Sequence, residues 1–404
     1  MPEPVIVAAT RSPVGRAFKG SLVHLRPDDL AAAMVTAVLD KIPELDRTEI
    51  DDLMLGCGLP GGEQGFNMAR VVAILAGLPT VPGTTVTRYC SSSLQTIRMA
   101  AHAIRAGEGD VFVAAGVETV SRFAKGSADS LPDTRNPRFA EAGERTARRA
   151  DGGAGPWEPH AGLPDVYIAM GQTAENVAQL EGVTREGMDA FALRSQTRAV
   201  AAQRSGFFDR EITPVTLPDG TVVAADDGPR PNTSLEKLAS LEPVFRPDGT
   251  VTAGNACPLN DGAAAVVVMS DEKARRLGVA PLARVVASGV SALDPEIMGL
   301  GPIGATRQAL ARAGMTIADV DLVEINEAFA AQVIPSARRL DVDIERQLNV
   351  NGGSIAIGHP FGMTGARIMC TLLNGLATAD KVVGLETMCV GGGQGMAMIV
   401  ERLR

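Results

Sequence analysis

The sequence is short of the features that identify a membrane, secreted or nucleic-acid-binding protein. Its 404 residues include only five cysteines, an odd number with no closely spaced pair of the kind that holds a metal. The longest apolar runs, such as residues 263–269, are far too short to span a bilayer. The net charge is −9, which argues against nucleic acid or an anionic membrane as the main partner.

The cysteines and the first residues also indicate the cellular compartment of the protein. An odd, scattered set of thiols is typical of a reducing compartment rather than of a disulfide framework. A predicted strand at residues 5–9 follows Met1 almost directly, so we expect no secretory signal peptide. These observations predict a cytoplasmic protein that has no membrane segment.

What is present is an ordinary globular composition, 45% hydrophobic and 21% charged, in a chain long enough for two or three domains. Predicted strands and helices alternate along the chain. The strand at residues 5–9 precedes a helix that Pro27 opens, and the next strand covers residues 52–57. This alternation predicts an α/β fold with parallel strand pairs.

The second half of the chain repeats the pattern of the first half. The matching pairs, in order, are residues 283–287 with 5–9, 318–325 with 47–54, 366–376 with 94–104, and 395–400 with 262–267. A single match of this kind is weak, but four matches in the same order indicate an internal duplication. We therefore predict two copies of one βαβ-rich unit.

The two copies differ by an insertion in the first one, between Glu118 and about Gly254. The insertion is rich in Arg, Gly, Pro and Asp, and it contains predicted helices at residues 171–180 and 185–204. Its position above the strand ends predicts a lid that covers a ligand. The predicted domains are a first half at residues 1–121 completed by 250–272, an inserted lid domain at 122–249, and a second half at 273–404.

Cys90 lies where a predicted strand turns into a predicted helix. The strand covers residues 83–87, and the helix places Leu94 and Ile97 on one face before a stop at Gly107. The free N–H groups of the first turn and the helix dipole favour a thiolate over a thiol at this position. Taken alone, the stretch is still more typical of a small buried cysteine than of a nucleophile.

Three polar clusters in the second half lie in loops at predicted strand ends, where open α/β sheets place their sites. They are residues 326–330, 349–362 and 388–395. If the halves pack about a pseudo-twofold axis, the helices after Cys90 and after His359 become neighbours. Their N-terminal loops would then converge on one point.

This convergence gives two cysteines and one histidine distinct chemical roles. His359 would take the proton of Cys90 and create a nucleophile, and Cys389 could shuttle a second proton. Glycines beside both let backbone N–H groups approach an oxyanion. Simpler alternatives are a loop histidine with satisfied hydrogen bonds and a tight glycine turn into a last strand. A metal site from Cys90, His359 and Cys389 is conceivable, although no local pairing supports it.

Four short segments resemble the signature blocks of the thiolases: residues 90–94, 326–329, 358–360 and 389–393. The similarity extends over essentially the whole chain. It implies a duplicated five-layer α-β-α-β-α fold with an inserted lid that holds coenzyme A, assembled as homodimers or homotetramers. It also implies the reversible conversion of a 3-ketoacyl-CoA and CoA into a shortened acyl-CoA and acetyl-CoA. Coenzyme A is then a substrate, and no cofactor is expected.

The resemblance also implies a role for each matching residue. Cys90 is the nucleophile that becomes acylated, and His359 is its activating base. Cys389 protonates or deprotonates the acetyl-CoA carbon. Asn326 holds a water that, together with His359, stabilises one thioester oxyanion, and the N–H groups of Cys90 and Gly391 stabilise the other.

Two departures from the family pattern concern the substrate. Ser93 replaces a usual Gly and is expected to reshape the acyl pocket, and Cys257 replaces a usual Ser that contacts the pantetheine arm. Arg230 is the candidate for the nucleotide end of CoA. Met170 and Phe329 are the candidates for lining the acyl pocket.

The preferred hypothesis is a degradative 3-ketoacyl-CoA thiolase of fatty-acid or related acyl-CoA breakdown. Alternatives are a biosynthetic thiolase that forms acetoacetyl-CoA and a non-catalytic homologue that binds CoA or lipid. The non-catalytic homologue would be expected to lack Cys90, His359 or Cys389, and all three are present. A ketoacyl synthase of the same fold would carry a second histidine where this chain has Cys389.

Overall fold

A ten-stranded mixed sheet organises the computed structural model, which describes residues 2–125 and 133–403. The strands are β1 (Pro4–Arg11), β2 (Gly15–Arg16), β3 (Asp52–Cys57), β4 (Gly83–Val86), β5 (Val111–Thr119), β6 (Val215–Thr216), β7 (Val222–Val223), β8 (Asn260–Ser270), β9 (Ala283–Ala292), β10 (Leu322–Ile325), β11 (Val383–Val390) and β12 (Gln394–Arg402). The helices are α1 (Pro27–Leu39), α2 (Met68–Leu75), α3 (Ser92–Ala106), α4 (Ala140–Ala150), α5 (Met170–Glu181), α6 (Arg185–Arg204), α7 (Leu235–Ala239), α8 (Asp271–Leu277), α9 (Gly301–Ala313), α10 (Ala330–Arg339), α11 (Ser354–Ile357) and α12 (Thr364–Thr378). None of the helices in these two ranges is long and apolar enough to cross a membrane.

The strand order shows the predicted duplication directly. It runs β10-β11-β12-β9-β1-β8-β5-β3-β4, so that β1-β8-β5-β3 on one side of the centre mirrors β9-β12-β11-β10 on the other. The strand directions also match, because β3–β5 and β10–β11 are the parallel pairs and the remaining neighbours in each set of four are antiparallel. The half-sheets meet at two antiparallel residue pairs only, Val5 with Arg284 and Ile6 with Ala283.

Helices on both faces complete five layers. Helices α1 and α2 cover the outer face of the first half-sheet, and α9 and α10 cover that of the second. Helices α3 and α12 lie between the half-sheets and pack on each other. The predicted apolar face of α3 is fully buried there, and Gly107 ends the helix with a φ of 76°, which favours glycine. The duplicated five-layer fold is therefore confirmed.

The inserted region leaves the sheet between β5 and β8. It contains α4 to α7, and the predicted helices at residues 171–180 and 185–204 correspond to α5 and α6. At the equivalent place in the second half, only residues 391–393 join β11 to β12. Residues 126–132 of the predicted insertion lie outside the described residues, and the domain limits at 122 and 249 stay a prediction.

Candidate active site

Cys90 lies in a sharp turn between β4 and α3. The residue before it, Tyr89, has a φ of 41°, in the left-handed region that a bulky residue rarely adopts. Cys90 is buried, with 9% of its surface exposed. Two backbone N–H groups, its own and that of Gly391, are directed at its sulfur. The turn therefore presents a sulfur atom together with two amide donors.

Cys90 is a thiol in this protein, contrary to the expectation that the helix start would make it a thiolate. Burial raises the pKa of Cys90 to about 11, because the two amide hydrogen bonds do not offset the cost of desolvating a charge, and the nearby Glu118 raises the pKa further. A group with this pKa is ionised to about one part in 10⁴ at pH 7. The cysteine needs a base before it can act as a nucleophile.

His359 has the protonation state that such a base requires. Its Nδ1 lies 2.6 Å from the Thr364 hydroxyl, whose proton points to the Pro360 carbonyl oxygen at 2.7 Å. The hydroxyl oxygen therefore accepts from Nδ1–H, and the lone pair of Nε2 accepts from the Asn326 Nδ2 amide at 3.3 Å. Burial, followed by the charge of Arg367, lowers the pKa of His359 to about 3. The imidazole is neutral at physiological pH.

Phe361 connects the histidine loop with Cys90. Its ring packs edge-on against that of His359, with centroids 5.3 Å apart, and it lines the same cavity of about 460 Å³ as Cys90. The adjacent Gly362 N–H donates to Glu118 at 2.8 Å. The two loops predicted to converge are therefore brought to one cavity.

Cys90 lies close enough to Cys389 and Cys257 to raise the pKa of both. Cys389, the last residue but one of β11, is fully buried, and burial, then Cys90 and Cys257, raises its pKa well above the usual value. The pKa of Cys257 is raised by burial and then by Cys90. Both are thiols at neutral pH and can donate a proton. No group of three or more His, Cys, Asp or Glu side chains suited to a metal ion occurs in the described ranges.

The glycines after Cys389 form the tight turn that was the simpler alternative, and they also serve the site. They join β11 to β12, and Gly393 has a φ of 77° and packs so closely on the Leu293 carbonyl oxygen that a Cβ would lie 2.3 Å from it. The same turn directs the Gly391 N–H at Cys90. The structural and chemical interpretations of this loop are compatible.

Glu118 is a buried residue whose importance the sequence did not reveal. Its carboxylate accepts from the N–H groups of Gly58 and Leu59 at 2.7 and 3.3 Å and from Gln64 Nε2 at 2.6 Å, in addition to Gly362. Burial raises its pKa. By holding these loops it positions two cavity walls, Leu59 and Phe361. The available signal was a carboxylate inside the otherwise apolar β5.

A chain of buried hydrogen bonds orients Asn326. Arg367 Nη2 donates to Ser354 Oγ at 2.7 Å, and Ser354 donates to Asn326 Oδ1 at 2.6 Å. The Asn326 oxygen therefore faces Ser354, and its NH₂ group faces His359. Arg367 is 1% exposed, and burial lowers its pKa. An amide donor and an imidazole are thus fixed side by side.

Of the three residues predicted at the acyl pocket, only one lines the cavity that contains Cys90. Met170, the first residue of α5, lines the cavity as predicted. Phe329 is buried, with its ring packed against Phe245 at a centroid distance of 6.1 Å, and it is not among the residues that line this cavity, so its place in an acyl pocket stays a prediction. The prediction for Ser93 was wrong. It is fully buried on the inner face of α3, where Oγ accepts from the Ala366 N–H of α12 at 2.9 Å.

Arg230 lies away from the cavity that contains Cys90. It is exposed, its N–H donates to Gln196 Oε1 at 2.8 Å, and desolvation followed by the charge of Arg16 lowers its pKa. Its assignment to the nucleotide end of CoA, like the contact of Cys257 with the pantetheine arm, stays a prediction.

Sequence reasoning assigned no role to most of the cavity wall. The lining residues in this group are Leu59, Tyr89, Thr134, Arg135, Val166, Tyr167, Ile168, Ala169, Phe361 and Gly392. They come from loops, and loop residues carry no period from which a shared face can be inferred. Tyr89 and Phe361 had one available signal, which is their position next to Cys90 and His359.

Comparison with known proteins agrees with this geometry. Residues 4–272 match the family model "Thiolase, N-terminal domain", and residues 279–402 match "Thiolase, C-terminal domain". The chain is 44% identical to the Escherichia coli K12 3-oxoadipyl-CoA/3-oxo-5,6-dehydrosuberyl-CoA thiolase, with all of both chains covered. It is 42% identical to a 3-ketoacyl-CoA thiolase of Bacillus subtilis 168, covering 99% of this chain and 100% of the relative.

A solved structure is similar over the same extent. The crystal structure of the Bacillus anthracis acetyl-CoA acetyltransferase superposes with a TM-score of 0.86 at 40% identity, covering 100% of this chain and 99% of that one. Both the sequence matches and the superposition extend through the two halves and the insertion. The chain therefore belongs to the thiolase family of acyltransferases.

Proposed function

We propose that the protein transfers an acyl group between CoA thioesters through an acyl-enzyme on Cys90. The reaction is the reversible cleavage of a 3-ketoacyl-CoA by CoA into acetyl-CoA and a shortened acyl-CoA. The observation that carries this proposal is that Cys90, a buried thiol with two amide donors, lines a cavity whose wall residue Phe361 packs against the neutral His359. Cys90 also lies close enough to a second thiol, Cys389, to raise its pKa. The reacting acyl-CoA and CoA are the only partners this requires.

The first half-reaction acylates Cys90. His359 Nε2 takes the Cys90 proton, and the sulfur attacks the 3-keto carbon, whose oxygen accepts from the N–H groups of Cys90 and Gly391. The bond between C2 and C3 then breaks. Cys389 gives its proton to C2, while Asn326 and His359 stabilise the enolate oxygen of the departing acetyl-CoA.

The second half-reaction transfers the shortened acyl group to CoA. The Cys389 thiolate takes the proton of the CoA thiol, and the CoA sulfur attacks the thioester on Cys90. Cys90 leaves as a thiolate and recovers its proton from His359. Every group returns to its initial state, so that ping-pong kinetics follow.

Mass spectrometry of the intact protein tests the proposal directly. After incubation with acetyl-CoA and no acceptor, the protein is expected to gain the mass of one acetyl group, and proteolytic mapping is expected to locate it on Cys90. Addition of free CoA should remove it. A protein that stays unmodified, or that carries the acetyl group on another residue, would contradict the mechanism.

A degradative role in fatty-acid or related acyl-CoA breakdown is the physiological direction that we propose. It is supported by relatives named 3-ketoacyl-CoA thiolase and beta-ketoadipyl-CoA thiolase. The similar Bacillus anthracis acetyl-CoA acetyltransferase favours a second candidate, the formation of acetoacetyl-CoA. Comparing kcat/KM for acetoacetyl-CoA with that for longer 3-ketoacyl-CoA substrates distinguishes the two. A reducing, cytoplasmic setting suits a thiol nucleophile in a chain whose five cysteines are all free.

The role of Ser354 gives a testable prediction about this mechanism. Ser354→Ala is expected to lower kcat for thiolysis by about tenfold with little change in KM, because Asn326 loses the hydroxyl that orients it. Thr306→Val is the matched control, since the described residues give its buried hydroxyl no hydrogen-bond partner. Equal kcat values for both variants would show that the hydroxyl does not position Asn326.

We further propose that the chain forms a homodimer, or a homotetramer built from such dimers, through the edge at β4. Strand β4 ends the sheet and pairs only with β3 among the described strands. Beside it, Phe66 is 94% exposed, and Ile74 and Leu75 are about half exposed. An open strand edge next to exposed apolar side chains is typical of a subunit interface.

The dimer proposal predicts the effect of a charge at Phe66. Phe66→Asp is expected to weaken association by at least about a hundredfold, because a carboxylate would be buried in an apolar interface. Light scattering at several concentrations measures this as a shift from dimer or tetramer toward monomer. Phe18→Asp, at a residue that is 64% exposed elsewhere, should leave the mass unchanged. The same mass for both variants would place the interface away from Phe66.

A further inference from the structure

The cavity at Cys90 is not uniformly apolar. Its walls include Leu59, Val166, Ile168 and Met170, which suit an acyl chain, but the lining also contains the guanidinium side chain of Arg135. A straight alkyl chain has no charge or hydrogen-bond acceptor that could pair with a cation at this position. The mixture indicates a substrate that is apolar in the middle and anionic at its end.

Arg135 is supported by an aromatic platform. Its guanidinium carbon lies 5.7 Å from the centroid of the Tyr167 ring, and that ring packs edge-on against Phe139 at 5.4 Å. The Tyr167 hydroxyl oxygen accepts from the Asn136 N–H at 3.2 Å, which fixes the ring beside the cavity. Stacking on an aromatic face restricts the arginine and leaves its N–H groups directed outward.

The charge of Arg135 is not neutralised by any ion pair formed within residues 2–125 and 133–403. Both tyrosines of the chain, Tyr89 and Tyr167, line the same cavity. The planar guanidinium of Arg135 matches a carboxylate, which arginine binds through two parallel N–H donors.

We propose that Arg135 binds a terminal carboxylate on the acyl chain, so that the preferred substrates are 3-ketoacyl-CoA thioesters of dicarboxylic acids. The proposal rests on the thiolase function proposed above and adds a substrate class and its recognition residue. The reacting 3-keto carbon is placed at Cys90, the methylene groups lie along the apolar wall, and the free carboxylate pairs with Arg135.

The phosphates of CoA fit the position of Arg135 less well. CoA approaches the reacting carbon as the thioester, on the opposite side of that carbon from the acyl chain. The side chains of Val166, Ile168 and Met170 are apolar and suit the methylene groups of an acyl chain better than the two amides of a pantetheine arm. The kinetic test separates these two occupants, since CoA is common to all substrates and the carboxylate is not.

The test compares 3-oxoadipyl-CoA with the methyl ester of its free carboxylate, a neutral substrate with the same carbon chain. The wild-type protein is expected to prefer the acid, and Arg135→Gln is expected to lower the ratio of the two kcat/KM values by about fivefold or more, the worth of one partly exposed ion pair. Arg135→Lys should retain part of the preference. Arg138→Gln, which removes a neighbouring exposed arginine, should retain all of it.

Three outcomes would overturn the proposal. One is an unchanged ratio in Arg135→Gln, and another is a wild-type protein that prefers the ester. The third is an equal loss of kcat/KM for acid and ester, which would assign Arg135 to the shared CoA moiety. A wild-type protein that cleaves neither substrate nor acetoacetyl-CoA would instead contradict the proposed thiolase function.

Discussion

Cys90→Ala is expected to lower the rate of thiolysis by about 10⁴- to 10⁶-fold, the largest effect of any single substitution in this protein. No other thiol is expected to replace Cys90, because Cys90 lines the cavity and two amide donors are directed at its sulfur. The variant should also gain no acetyl mass from acetyl-CoA. Both results are measured on the same preparation, by a thiolysis assay and by intact-protein mass spectrometry.

The variant is expected to stay folded, so that the loss can be assigned to chemistry. Replacing Cys by Ala removes a single sulfur atom at the edge of a cavity, and the midpoint of thermal unfolding should change by only a few degrees. Cys90→Ser provides a second variant of nearly the same shape. Its hydroxyl is a far weaker acid than a thiol, so it too should be inactive. Thiolysis at even one hundredth of the wild-type rate in Cys90→Ala would rule out Cys90 as the nucleophile.

Cys389→Ala is expected to separate the two half-reactions. Transfer of an acetyl group from acetyl-CoA to Cys90 moves no proton to or from carbon, so the variant should still become acetylated. Cleavage of the C2–C3 bond should fall by about 10²- to 10⁴-fold, because the departing carbanion has lost its proton donor. Exchange of labelled CoA into acetyl-CoA measures the first activity, and thiolysis of acetoacetyl-CoA measures the second.

Cys370→Ala is the matched control for this separation. Cys370 is also a buried thiol whose pKa burial raises, but it lies in α12 outside the cavity that contains Cys90. It should retain both activities. If Cys389→Ala cleaved acetoacetyl-CoA at the wild-type rate, another group would have to supply the proton, and Cys257 would be the nearest thiol to test.

The contrast between Cys90 and His359 explains why these effects are expected to be large. Cys90 has a pKa of about 11 and His359 a pKa of about 3, so both are neutral across the physiological range. Proton transfer from Cys90 to His359 is uphill before a substrate binds. It becomes productive when the new charge is placed on a substrate oxygen that the amides or Asn326 stabilise. The site therefore avoids a permanently charged, oxidation-prone thiolate in the absence of substrate.

Ser93 shows how far local reasoning extends. Its position one turn beyond the nucleophile suggested a role in the acyl pocket. Ser93 does lie in the first turn of α3, as the sequence indicated. The neighbouring helix α12 determines where the Ser93 side chain lies, because the Ala366 N–H of α12 donates to the Ser93 hydroxyl oxygen. The surroundings of Phe329 are also set by a distant segment, because its ring packs on Phe245, a residue more than eighty positions earlier in the chain.

The sequence alone determined the duplicated α/β fold, the insertion in the first half, and the identity of Cys90, His359, Asn326 and Cys389 as the candidate chemical groups. Those features are local: strand and helix periods, glycine stops, and polar clusters directly after apolar strands. The tertiary structure decided the protonation states, the buried chain of hydrogen bonds from Arg367 to Asn326, and the cavity that both Cys90 and Arg135 line. These depend on burial and on contacts between segments that are distant in the chain, and neither quantity has a signature in the order of the residues.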